Sequence, residues 1–447
     1  VALLFGHFGF GSSWFALAAP FSPTAFSDRV AAIANGFALL LAGISLFMCC
    51  VQCSRKTAQF SDWFLASYLI LLLLTLLIYP LFTQILVSAS PDLPVMLLVG
   101  ITVWAMLVVL HPTSPAARLS GEQAVPLMMA VGAMTIKLVA IPLVVVGLLF
   151  YGAQGRVTWR RSLLGVSLLL LLSAPMLISN SITSGCPLFP SNLFCLSLPW
   201  SPSNTDLQNL ATNTHGAIHW YSGDHLSVLS LVRGAWRWFN GERINQMIVL
   251  LGILTTVSLL YATQRFQLAY LRPHLWLAGT AVFSLGFLFI TTPMARFTLP
   301  YVIILVGLLF ATIVQQLGTA SSRTPPPVGI QKPQGRYQIM LSGMQRPLAY
   351  LGRTQTMTSG AITLLSLLIS LLVCLQTPSR LVLPPPMLRD PVVQKTVNDI
   401  TYWSPFDPAN GLKGLCWSAP LPCAFDVKPD VWLRQPSRGI AGGFVRY

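Results

Sequence analysis

Acid is scarce in this chain: 12 of its 447 residues are Asp or Glu, and charged residues of both signs together make up 9%. A soluble globular domain carries about 25% charged residues, so a water-soluble body of this size is excluded. The signatures of soluble enzymes are missing as well. There is no G-x-x-x-x-G-K-[ST], no G-x-G-x-x-G opening a helix, no H-E-x-x-H and no G-x-S-x-G, which argues against nucleotide hydrolysis. No internal repeat with a clear period is visible. The chain opens at Val1 without a methionine, and no basic stretch followed by an apolar core and a small-residue cleavage site precedes the first long apolar run. The expectation is a chain truncated at its N-terminus.

What the sequence has in abundance is apolar length. Hydrophobic residues make up 54% and the mean hydropathy is +0.69. Runs of about 20 apolar residues span a bilayer, and they fall at 30–50, 62–88, 93–110, 162–180, 244–262, 274–291, 298–316 and 359–376. The stretch 124–151 is too long for one crossing. The reading is an all-α polytopic membrane protein of about ten transmembrane or half-membrane helices.

Charge gives the sides. The connections near 51–61, 111–123, 152–161, 263–273 and 317–358 hold thirteen Lys and Arg against Glu122 alone; by the positive-inside rule they are cytoplasmic. The other side also carries about thirteen basic residues, but eight lie in the long tail 377–447, and ten acids accompany them. The alternation closes only if 124–151 enters and leaves from the same side, as two short helices with a tip near Lys137. This gives an outer interfacial loop at 1–29, a transmembrane domain at 30–376 with an outer loop at 181–243 and a cytoplasmic linker at 317–358, and a small loop-rich outer cap at 377–447. The localisation that follows is multi-pass, with the C-terminus outside. The basic surplus is accounted for by the membrane, and no nucleic-acid partner is implied.

Cysteine usage agrees. Cys49, Cys50 and Cys53 sit at a cytoplasmic helix end. Cys186 and Cys195 are spaced C-x8-C and Cys416 and Cys423 C-x6-C, all in outer segments. Spacings that short suit local disulfides in an oxidising compartment, although each pair can also cross-link to the other. The CCxxC cluster lacks a fourth ligand nearby and reads as helix-end packing rather than a metal site. Within the outer loop, LSVLSLVRGAWRWFN places Arg233, Trp236, Arg237, Trp238 and Phe239 in a pattern that suits a helix lying in the headgroup layer.

Few residues remain that can do chemistry, and all are expected on the outer side. In SPDLPV, Ser90 can cap a helix, Pro91 suits its first position and Asp92 complements the dipole; the same carboxylate, facing a cavity, can orient a sugar hydroxyl or support a basic group. Lys137 lies in MAVGAMTIKLVAIPLV, where an ammonium costs about 2.5–3.5 kcal/mol at a helix centre. At a helix tip it can meet a phosphate or snorkel to the interface. Arg296, in TTPMARFTLPYVIIL, can grip a phosphate with two parallel hydrogen bonds, anchor at the interface or pair with Asp92. His7, in GHFGFGSSWF, can serve as a base, a diphosphate contact or a buried structural histidine. His215 and His219 stand four apart as substrate-binding candidates; Gly216 and the lack of a nearby acid argue against a metal there.

These pieces, in order, resemble the GT-C class of membrane glycosyltransferases. SPDLPVMLLVGITVWAML is similar to the helix start with a Pro-Asp pair, GAMTIKLVAIPLVVVGLL to paired short helices with a lysine between them, and PMARFTLPYVIILVGLL to the entry of a late span. Within that class, GHFGFGSSWFALAAPF, SGCPLFPSNLF and GLCWSAPLPCAFD resemble a family of bacterial integral membrane proteins common in cyanobacteria. The resemblance implies transfer of a sugar from a polyprenyl-phosphate donor to a glycan, lipid or protein acceptor on the outer face of the bacterial plasma membrane. Lys137 and Arg296 would meet the phosphate, with His7 and Asp92 near the acceptor. No cofactor is required outright; a divalent metal has room, with an incomplete ligand set. One departure stands out: the class carries its catalytic acid in the first outer loop, where 1–29 offers only Asp28. The expectation is that this acid lies upstream of Val1. The rival readings are a transporter or polymerase for cell-surface glycans and a non-catalytic assembly subunit.

Overall fold

The computed structural model describes residues 11–21, 30–55, 57–78, 85–86, 90–110, 121–154, 158–191, 193–217, 228–265, 271–322, 390–407, 411–414, 416 and 419–447. Twelve α-helices lie among them: α1 Ser13–Ala18, α2 Val30–Ser54, α3 Phe60–Ile78, α4 Asp92–Leu110, α5 Val125–Ile136, α6 Ile141–Ala153, α7 Trp159–Ser184, α8 Asn204–Ala217, α9 Val228–Gly241, α10 Arg243–Arg265, α11 Leu271–Thr291 and α12 Ala295–Ser322. Seven of these (α2, α3, α4, α7, α10, α11 and α12) are long and apolar enough to cross a membrane. The chain is a multi-pass, membrane-embedded protein.

The helices with apolar residues all round sort by where those residues go. α4 and α12 form the centre, buried over two thirds of their apolar windows, while α2 and α7 present most of theirs outward. At the centre Gly100 of α4 lets the backbone approach the fully buried ring of Tyr68 on α3: a Cβ there would lie 2.1 Å from its Cε1. The Tyr68 hydroxyl donates to the carbonyl of Met96 at 2.6 Å, so the phenol's polar end is satisfied inside the bundle.

Residues 124–151 form two short helices, as the charge alternation requires. α5 has 12 residues and α6 has 13. At 1.5 Å per residue each reaches about 18–20 Å, short of a hydrocarbon core of about 30 Å. The break falls at Lys137, which is extended (φ −155°, ψ 124°), followed by one 3-10 turn over Leu138–Ala140. Pro142 near the start of α6 cannot supply the backbone donor of a continuous helix. α3 covers the expected run 62–88 as far as Ile78, and most of the remainder lies outside the described residues. The expected span 359–376 and most of the linker 317–358 lie outside the described residues.

The bundle has two distinct ends. At one, Asp92, the Lys137 tip and Arg296 meet, and Asn35 near the start of α2 donates to the carbonyls of Ile85 and Leu86 at 3.0 and 3.1 Å. At the other, Arg161 stacks over the Tyr151 ring at 4.4 Å, Arg272 donates to the carbonyl of Ala153 at 3.2 Å, and His274 shares a hydrogen bond of 2.9 Å with Thr312. Both cysteine pairs expected from spacing are joined, Cys186 to Cys195 and Cys416 to Cys423, while Cys49, Cys50 and Cys53 are free.

The chain is mostly helical, and among the described residues its loop-rich tail adds short strands. The tail carries three antiparallel pairs: β1 Val393–Val397 with β2 Ile400–Ser404, β3 Phe406–Asp407 with β4 Leu412–Lys413, and β5 Val431–Leu433 with β6 Phe444–Arg446. Val397 faces Ile400 across a two-residue turn whose Asn398 and Asp399 both take positive φ, 48° and 62°. Asn and Asp tolerate that conformation, and such a turn matches the twist of the flanking strands. Ile400, Tyr402, Ala424, Val427, Val431 and Phe444 form a separate small core, against which Trp200 of the 181–243 segment packs. That segment is itself partly helical, in α8 and α9.

Candidate functional site

The candidate site stands where four elements meet. Ser90 Oγ accepts from the Asp92 backbone N–H at 3.3 Å, the local capping that the SPD sequence predicts. The carboxylate then does something capping does not require: it turns inward, with 2% of its side chain exposed. Lys137 at the α5–α6 break donates from Nζ to Asp92 Oδ1. Arg296, in the first turn of α12, places Nη1 3.8 Å from Asp92 Oδ2. That is beyond hydrogen-bond distance, and among the described residues Oδ2 has no hydrogen-bond donor.

Phe297 completes the arrangement. Lys137 Nζ sits 4.2 Å from its ring centroid and the Arg296 guanidinium 5.0 Å from it, both within cation–π range. One ring thus contacts both cations that meet the carboxylate. Exposure is graded across the group: Asp92 is buried, Lys137 is 25% exposed and Arg296 46%. One acid against two cations leaves a formal positive surplus of one, located on the accessible side. Such a site attracts an anion, and its inner wall keeps an unfilled acceptor oxygen. Pro300, one turn into α12, cannot donate to the Arg296 carbonyl.

The lysine tip is held by the segment before the first long helix. Ser12 caps α1 by accepting from the Trp14 N–H at 3.3 Å, and its hydroxyl donates to the carbonyl of Ile136 at 2.7 Å. Ser13 and Thr135 share a hydrogen bond of 3.1 Å between hydroxyls. Gly11 lies against Asn180 near the end of α7, where a Cβ would come within 2.1 Å of the amide oxygen. Residues 11–18 therefore clasp the half-helix pair at the position that sets Lys137. The sequence signal was present in GFGSSWFALA, a Ser-Ser capping pair before a short apolar helix, but nothing local says what the serines touch.

Of the residues singled out from sequence, Asp92, Lys137 and Arg296 come together. His7 and His219 lie outside the described residues; His215 falls in α8, with its side chain outside them. Among the described residues no group of three or more His, Cys, Asp or Glu could hold a metal ion, so no described ligand set fits the divalent metal for which room was left. Phe297 and the Ser12–Ser13 clasp are additions from the structure.

The family model for a domain of unknown function, DUF8201, matches residues 1–303. The chain belongs to the DUF8201 family. The DUF8201 match contains Asp92, Lys137, Arg296 and Phe297 and stops before the strand-bearing tail. No curated protein and no solved structure matches the chain.

Proposed function

We propose that this protein is a GT-C-type integral membrane glycosyltransferase that moves a sugar from a polyprenyl-phosphate donor to an acceptor on the outer, periplasmic face of the bacterial plasma membrane. The observation that carries the reading is the Asp92–Lys137–Arg296 group: a cation surplus at the end of a membrane bundle, where the phosphate of a lipid with a long apolar tail would arrive. Departure of a phosphate develops negative charge on oxygen. Preplaced cations stabilise it most where water is scarce, and a guanidinium can take two oxygens at once. Asp92 sets the two cations, and its Oδ2 is buried behind them, 3.8 Å from Arg296 Nη1. Its other oxygen is committed to Lys137, so the proposal gives it positioning rather than the removal of the acceptor proton. The sidedness rests on the basic residues at the opposite end and on two disulfides in segments packed together at this one.

The same commitment of Asp92 favours a second reading, in which lipid-linked glycan is bound without sugar transfer, as in a transporter, polymerase or assembly subunit. One experiment separates the two. The full chain in liposomes is given a radiolabelled polyprenyl-phosphate sugar, and binding and sugar release are measured separately with pooled acceptors. Transfer supports the glycosyltransferase; binding without transfer or release under any acceptor pool rejects it in favour of the second reading. In either case Lys137→Met should weaken lipid-phosphate binding about 10- to 100-fold, the worth of one hydrogen bond to a charged group. Unchanged affinity would remove Lys137 from the site.

A further inference from the structure

We propose that α9 is a recognition surface for acidic phospholipid headgroups. Its inner side is fixed to the bundle: Gly234 and Trp238 are buried, and the Trp238 ring meets Phe289 edge-on at 5.6 Å. The Trp238 carbonyl accepts from Asn245 Nδ2 at 2.8 Å. At 3.6 residues per turn the remaining arc runs from Val232 and Trp236 on one edge, through Asn240, to Arg233 and Arg237 on the other, and all five are exposed. Val232 and Trp236 are exposed by 60% and 68%, unusual for large apolar side chains that face water. Among the described residues neither Arg233 nor Arg237 takes part in an ion pair.

The level of the helix in the bundle gives its surroundings. Phe289 is seven residues before Arg296, so α9 lies at the Asp92 end, beside the point where α11 stops and α12 starts. Headgroups of a bilayer crossed by those helices lie at the same level. An apolar edge beside a cationic edge, parallel to one axis, is the pattern of a helix lying in the interface, and unpaired basic residues there draw acidic lipids. A zwitterionic lipid would bury Trp236 equally well and offer its phosphate, but its choline brings an equal positive charge to the same level, whereas an acidic lipid brings net negative charge to the two guanidiniums, which is why the geometry selects the acidic class. The inference does not depend on sugar transfer.

The test uses the full chain in nanodiscs of phosphatidylcholine and phosphatidylglycerol, with bromine carried on the upper acyl chain of one lipid at a time. The contribution of Trp236 is the quenching lost in Trp236→Phe. Brominated phosphatidylglycerol should quench Trp236 more than the choline lipid at equal mole fraction. The relative affinity should fall by about 5-fold for each arginine removed in Arg233→Gln and Arg237→Gln, the effect of one basic residue near an acidic surface. The double lysine variant should retain the preference, which separates loss of charge from loss of fold. Equal quenching by both lipids, or a preference unmoved in the double glutamine variant, would overturn the proposal. So would no quenching of Trp236 by either lipid, which would mean that protein or water covers this face.

Discussion

Asp92 shows how one residue serves a local and a distant demand at once. Its capping geometry is dictated by Ser90 and Pro91 and would be satisfied with the carboxylate pointing to water; burial follows only because Lys137 and Arg296 arrive from elements 45 and 204 positions away. Exposed ion pairs contribute about 0–1 kcal/mol, while stripping one partner from a buried pair costs about 3–5 kcal/mol. The group lies between those limits, since the acid is buried and both cations reach solvent. We predict that Asp92→Asn lowers stability by about 2–3 kcal/mol through repulsion of the two cations and loss of the lysine's counter-charge. Lys137→Met should cost a similar amount by leaving the acid to Arg296 alone. The double variant should cost clearly less than the sum, which thermal unfolding of the four proteins in detergent would show. Strict additivity would mean that the pair carries no coupling and that the buried acid is held by α4 itself.

At the scale of elements, α3 and α4 illustrate packing that hydropathy cannot register. Both are apolar on every side, so periodicity assigns neither a buried face nor a partner. The contact is decided by the single place where a missing side chain admits a ring, Gly100 against Tyr68. Gly100→Ala is predicted to cost about 1–3 kcal/mol by overpacking, and the cost should shrink when Tyr68 is shortened to Leu, as measured by thermal unfolding of the two backgrounds. The α5–α6 pair, by contrast, is legible in the sequence, because two basic loops flank one apolar stretch and a lysine stands in its middle. The charge rule requires a return, and the structure adds Pro142 just past the break. The strands of the tail were harder to see. They are two to five residues long and interleaved with prolines and glycines, so composition reads as loop. Only the Asn398–Asp399 step in VQKTVNDITYW carries a hairpin signal. The grouping of Asp92, Lys137 and Arg296 is readable in the sequence as a shared side, with a pairing of Arg296 to Asp92 as one of three readings of that arginine. Their contact, and the Ser12–Ser13 clasp, depend on bundle packing that no local pattern encodes.

At the scale of the whole molecule, the tail and the 181–243 segment are joined by a charge latch whose members are more than 200 residues apart. Asp206 of α8 receives Lys428 and Arg446, Arg446 also reaches Asp430, and Arg434 lies 5.1 Å from the Trp200 ring centroid. Burial, the largest single influence on the Asp206 carboxyl, pushes its pKa up. Hydrogen bonds from Lys428, Ser203 and Arg446, with the lysine's charge, outweigh it and bring the value down from 3.8 to about 2. A carboxyl depressed on folding contributes stability in full above its unfolded value and loses it as pH falls through the folded one, so the window for this latch runs from about pH 4 down to about pH 2. Trp200 reports on it directly, as the emission lost in Trp200→Phe. In the parent protein that emission should shift to longer wavelength across the window as the latch opens and water reaches the ring. In Asp206→Asn the shift should already be present at neutral pH and change little on acidification, because the group that titrates is gone. An identical acid response in the two proteins would show that Asp206 does not hold the tail, and that the apolar contact of Trp200 with the small strand core does so alone.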